Sequence, residues 1–95
     1  MAAPTQRLIK RIERDFTPAH AREVIGWLTG LAPESYGRQD EGRVQAALVL
    51  RARGNLREFI SLVELMRLDW RDLLMAGGLG NSDWPAILDA ELSET

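Results

Sequence analysis

The chain of 95 residues has no cysteine and a single histidine, His20. Without cysteine it can form neither disulfides nor thiolate sites. His20 and Glu23 could share one helix face, but there is no second histidine to complete a zinc site, and the paired Glu-x-x-His motifs of di-iron bundles are absent. We therefore expect no metal site and no cofactor, and we interpret His20 as a surface residue of a first helical turn.

Long hydrophobic runs are also absent. The longest, Ala46 to Leu50, is far shorter than the ~20 residues that a membrane span needs. Residues 1–4 show no basic segment followed by an apolar one with a cleavage site, so we expect a cytoplasmic protein without a membrane partner. With 45% hydrophobic and 27% charged residues, the composition is typical of one globular domain over residues 1–95.

Signatures of catalysis are absent as well. No Gly-x-Ser-x-Gly elbow surrounds Ser35, Ser61 or Ser82. The glycine-rich segment 77–82 lacks both the Gly-x-Gly-x-x-Gly spacing and the Gly-Lys-Ser/Thr ending of phosphate loops. We expect a protein that is not an enzyme and has no catalytic residues.

The charge is distributed unevenly along the chain. Residues 1–22 carry +3 and residues 72–95 carry −5, within a net charge of −2. If the two ends of the chain pack near each other, we expect the two blocks to attract each other, at ~0 to 1 kcal/mol per exposed pair. Dedicated binders of polyanions usually have a basic net charge, so nucleic acid is not the partner that we expect.

Apolar residues recur at helical spacing, and no segment alternates like a strand. A first helix is predicted over about Thr5–Asp15, and a second begins at the Thr17-Pro18 cap and stops at Gly30. Residues 30–39 are predicted to form a loop.

A third helix is predicted from Asp40 to a left-handed stop at Gly54, and a fourth begins after Asn55. So short a connection predicts a tight antiparallel hairpin. Asp69 caps a short helix, and a last helix begins near Ser82 or Asp83. The sequence thus predicts an all-α domain, an open bundle of five or six short helices around a central hairpin.

Arg51 and Arg67 interrupt the apolar stripes of the third and fourth helices, each in a last turn where a cation favours the helix dipole. In the antiparallel hairpin Arg67 would lie near Asp40 and Glu41, and we expect structural ion pairs there. A functional anion site is the alternative for both arginines.

Four apolar residues, Trp27, Tyr36, Val49 and Leu65, fall partly off the main stripes. If they stay exposed, they form a patch for an unknown protein partner or for a second copy of the chain. The alternative is that neighbouring helices cover them. We expect a small, non-enzymatic protein-protein interaction module.

A DNA-binding regulator is the alternative function. The helix after Asn55, the break at Asp69 and the segment 70–74 have the layout of a helix-turn-helix, and in outline resemble the terminal DNA-binding unit of some bacterial activators. Against this, bulky Phe59 and Ile60 stand where such units pack small residues. Asp69 and Asp72 beside Arg71 would also face phosphates.

The segments Gly54-Asn55-Leu56 and 69–77, which contain the motif DWRDLL, together resemble a pattern in a family of small bacterial helical proteins that has no established activity. This resemblance implies a small bacterial cytoplasmic protein, and it supplies no functional residues to carry over.

Overall fold

A computed structural model describes residues 3–31 and 40–92 of the chain. These residues form six helices and no strand, which confirms the predicted all-α class. The helices are α1 (Gln6–Asp15), α2 (Pro18–Gly30), α3 (Glu41–Ala52), α4 (Leu56–Leu68), α5 (Trp70–Ala76) and α6 (Trp84–Glu91).

Side-chain caps define where most helices begin. At the start of each of α1 to α5, the capping side chain accepts a hydrogen bond from a backbone N–H of the first turn; the caps are Thr5, Thr17, Asp40, Asn55 and Asp69. Such caps satisfy amides that have no partner within the helix. Asp83 precedes α6 but makes no side-chain cap bond, and Pro85 is accommodated in the first turn.

The α3–α4 turn differs in detail from its prediction. The left-handed cap of α3 is Arg53, at φ 52° and ψ 41°, and Gly54 also has a positive φ of 80°. A Cβ atom at Gly54 would collide with the carbonyl oxygen of Asp15. Glycine is therefore required where the turn packs against the end of α1, and Arg53 takes the left-handed cap position itself.

Helix α3 is the centre of the domain, because it packs against α4, α5 and α6. Helix α2 lies against α1 and α4. Phe16 and Phe59 meet edge to face, with ring centroids 6.4 Å apart, and join the end of α1 to α4. The largest fully buried side chains are Phe59, Leu8, Ile12, Leu28, Leu31, Leu48, Met66, Leu73, Leu79, Val24, Val44 and Val49.

The basic first helix and the acidic last helix are paired, as the charge distribution predicted. Arg7 contacts Asp89 at 2.7 Å. The Nη1 atom of Arg11 lies 3.7 Å from Oε2 of Glu91 and donates a 2.6 Å hydrogen bond to the Glu91 carbonyl. Two of the four basic residues of α1 thus contact α6.

Gly30 is the last residue of α2 and Leu31 is its cap, whereas 32–39 of the predicted loop lie outside the described residues. In the part of the chain that the structure describes, no helix has both the length and the apolar character of a membrane span.

Candidate interaction surface

Val49 was expected to belong to a surface patch, and this expectation was wrong. Its side chain is fully buried in α3. Helix α3 is covered by three other helices, so the residues off its main stripe are enclosed as well.

The other three predicted patch residues do not form a common exposed surface. Trp27 and Leu65 are half-buried and pack against the core. Tyr36 lies outside the described residues. Trp27 contributes to a groove between α2 and α4, together with Gly26 and Arg67.

Arg67 does not pair with Asp40 or Glu41, contrary to expectation. No ion pair joins these residues in the part of the chain described, and the exposed Arg67 lies in the groove beside Glu23 and Gly30 of α2. The carboxylate of Asp40 instead accepts the backbone N–H of Arg43, as a helix cap. Neighbouring α2 therefore sets the surroundings of Arg67.

Two exposed residues were missed by the sequence analysis. Leu68 is 86% exposed and Met75 is 64% exposed, the large hydrophobic residues most open to solvent among those described. A signal for Leu68 was present, because it continues the spacing of Arg57, Ser61 and Glu64 on the polar side of α4.

These residues define a continuous surface that we call the outer face of α4: Arg57, Ile60, Ser61, Glu64 and Leu68. All are exposed except Ile60, which is half-buried. Arg57 and Glu64 stand two turns apart, with Ser61 between them and Leu68 one turn beyond Glu64. The face therefore combines a cation, an anion, a small residue at its middle and an apolar side chain at one end.

An open cavity of about 600 Å³ lies at the other end of this face, between α4 and the start of α2. We call it the α4 cavity. Its lining residues are His20, Gly54, Asn55, Leu56, Arg57, Ile60, Ser61 and Glu64. Leu56 and Ile60 give it an apolar part, and both are only half-buried.

The α4 cavity brings His20, Ser61 and Glu64 together, which is the combination that an enzyme would use as base, nucleophile and orienting acid. Among the described residues, however, no side-chain hydrogen bond joins these three, and the bond recorded for His20 is its backbone N–H to the Thr17 hydroxyl. The geometry of an activated nucleophile is therefore not formed.

Helix α5 gives the DNA-binding alternative little support. Asp69 and Asp72 are exposed on this seven-residue helix, and the guanidinium of Arg71 lies 5.2 Å from the ring centre of Trp70. The basic residues that would have to join Arg71 include Arg7 and Arg11, which pair with α6.

Within residues 3–31 and 40–92, no three His, Cys, Asp or Glu side chains are placed to hold a metal ion. Comparisons of the chain with protein-family models, with curated proteins and with solved structures give no match. The surface of the molecule itself is thus the basis for a functional hypothesis.

Proposed function

We propose that the protein is a small, non-enzymatic interaction module, and that the outer face of α4 binds a second copy of the chain. The supporting observation is that this face is complementary to itself when the second helix runs antiparallel. Such a pairing is a two-fold interface, in which the same patch serves both copies.

Charge complementarity follows from residue spacing. When the two-fold axis passes midway between Ile60 and Ser61, Arg57 of one copy lies opposite Glu64 of the other, and the reverse pair forms at the other end. Each residue is three to four positions from that midpoint, about 5 Å along the helix. A parallel pairing in the same register would bring like charges together, so the charges favour the antiparallel arrangement.

Shape complementarity uses Leu68 and the α4 cavity. Leu68 is about 11 Å from the same midpoint, given the rise of an α-helix. In the antiparallel arrangement it therefore reaches the Gly54–Leu56 end of the second copy's α4 cavity. The exposed leucine would contact Leu56 in the apolar part of that cavity, and the small Ser61 at the crossing point would let the two helices approach closely.

The expected dimer is weak. Helix α4 has 13 residues and is about 20 Å long, so contacts limited to it and the adjoining cavity fall at the low end of specific interface sizes. We expect a reversible equilibrium between monomer and dimer, with the dimer populated at high protein concentration.

The first experiment measures solution mass by sedimentation equilibrium over a concentration series, for the wild type, Leu68→Gln and Met75→Gln. Both substitutions replace an exposed apolar side chain with a polar one of similar length, but Met75 lies on α5, outside the outer face of α4. We expect the wild type and Met75→Gln to dimerise and Leu68→Gln to remain monomeric.

Two results would contradict the proposal. A wild-type mass that stays monomeric up to roughly millimolar concentration, where association would supply only ~4 kcal/mol, would remove the second copy as the occupant. Equal loss of dimer in both variants would show that exposed apolar area in general, and not the outer face of α4, drives association.

A further inference from the structure

A second cavity, separate from the outer face of α4, lies between α1, α6, the end of α3 and the turn after α5. Its volume is about 440 Å³. We call it the arginine cavity. The lining residues that matter for binding are Arg11, Leu50, Arg51, Arg53, Ile87 and Glu91.

We propose that the arginine cavity binds a small organic phosphate monoester. Three arginine residues, carried by α1 and by the last turn and cap of α3, line this one cavity. The negative end of the α3 dipole accounts for one cation in the last turn, but not for the convergence of all three.

The side chains of Arg51 and Arg53 supply positive charge that is available to a ligand. Neither side chain makes a hydrogen bond or ion pair with any residue in the described ranges, although Arg51 is half-buried. A guanidinium carries five N–H donors in a planar fork that matches the oxygens of phosphate. The two side chains thus leave donors available to a ligand in the cavity.

Arg11 is partly used by the protein itself. Its side chain is only 17% exposed, its Nε atom donates to Asp15 at 2.8 Å, and its Nη1 atom donates to the Glu91 carbonyl at 2.6 Å. Its third nitrogen, Nη2, makes no bond to a described residue. Arg14 also lies 3.7 Å from Asp15, so Arg11 and Arg14 together balance Asp15 and Glu91. Arg51 and Arg53 are then the uncompensated charges.

The remaining lining determines which anion fits. Leu50 and Ile87 are half-buried apolar side chains that can contact the organic part of an ester. The 51%-exposed carboxylate of Glu91 stands at the same cavity and repels an anion.

The test is an NMR titration at constant ionic strength with phenyl phosphate, with inorganic phosphate and with a short DNA duplex. We expect saturable shifts at the arginine cavity, and tighter binding of phenyl phosphate than of inorganic phosphate because its ring contacts Leu50 and Ile87. Arg51→Gln and Arg53→Gln should each weaken phenyl phosphate binding about tenfold, since each removes a charge-assisted hydrogen-bond donor. Glu91→Gln should strengthen binding.

Arg22→Gln is the matched control, because Arg22 is an exposed arginine on α2, away from the cavity. Circular dichroism of each variant confirms that it is folded. Equal weakening by Arg22→Gln and Arg51→Gln would overturn the site, as would weaker binding to Glu91→Gln. If phenyl phosphate binds no more tightly than inorganic phosphate, the assignment of an organic ester is wrong. If duplex DNA binds most tightly of the three and does so through these arginines, the assignment of a small molecule is wrong.

Discussion

Replacing Gly54 with alanine tests how the α3–α4 turn is held in place. The substitution has two costs, because Gly54 has a positive φ of 80° and because the new Cβ would collide with the Asp15 carbonyl. The backbone conformation costs about 1 kcal/mol for a residue with a side chain. Forcing an atom into a packed contact adds about 1–3 kcal/mol, so we expect Gly54→Ala to lower the free energy of unfolding by about 2–4 kcal/mol.

Two other glycines separate these costs. Gly78 has nearly the same conformation, with φ 77°, but nothing lies within 4 Å of a Cβ placed there, so Gly78→Ala should cost only about 1 kcal/mol. Gly26 lies in the middle of α2, and nothing lies within 4 Å of a Cβ placed there. Gly26→Ala should therefore raise the free energy of unfolding by about 0.5–1 kcal/mol. Urea unfolding measures the change in the free energy of unfolding for all three glycine variants. The variants are made in the Leu68→Gln background so that self-association does not contribute. A loss at Gly54 no larger than the loss at Gly78 would refute the packing argument.

Three further predictions concern stability and are measured by the same unfolding assay. Phe59→Ala should lower the free energy of unfolding by about 3–5 kcal/mol, since Phe59 is fully buried. A decrease of only about 0.5 kcal/mol, as for a surface substitution, would contradict its place in the core. Thr17→Ala should cost about 1 kcal/mol because Thr17 caps α2, whereas Asp83→Ala, at a helix start without a side-chain cap bond, should cost clearly less. Asp89→Asn should cost at most about 1 kcal/mol, and less in high salt, because its pair with Arg7 is exposed.

Local signals in the sequence were sufficient to predict the helices and their beginnings. A helix start can be predicted within a few residues at Thr17-Pro18, Asn55 and Asp69. This is possible because a cap hydrogen bond depends only on the neighbouring backbone. The attraction between α1 and α6 was also predictable, since it follows from the charge of whole segments and not from one contact.

The surface residues were harder to predict because exposure depends on which helices are neighbours. Val49 is buried since α3 is central, and Arg67 faces α2 and not the start of α3. Neither fact follows from the period of a single helix. The sequence placed Arg51 in the last turn of α3, but Arg11 is 40 residues before it. Only the fold brings these two arginines to one cavity with Arg53.

The measurement that tests the central claim most directly is a charge-exchange series at the outer face of α4. Sedimentation equilibrium compares the wild type, Arg57→Glu, Glu64→Arg and the double variant. In an antiparallel dimer each single variant places like charges opposite each other, while the double variant restores both pairs in reverse. The proposal predicts that both single variants lose the dimer and that the double variant regains it. A double variant as monomeric as the single ones would contradict the antiparallel α4 interface.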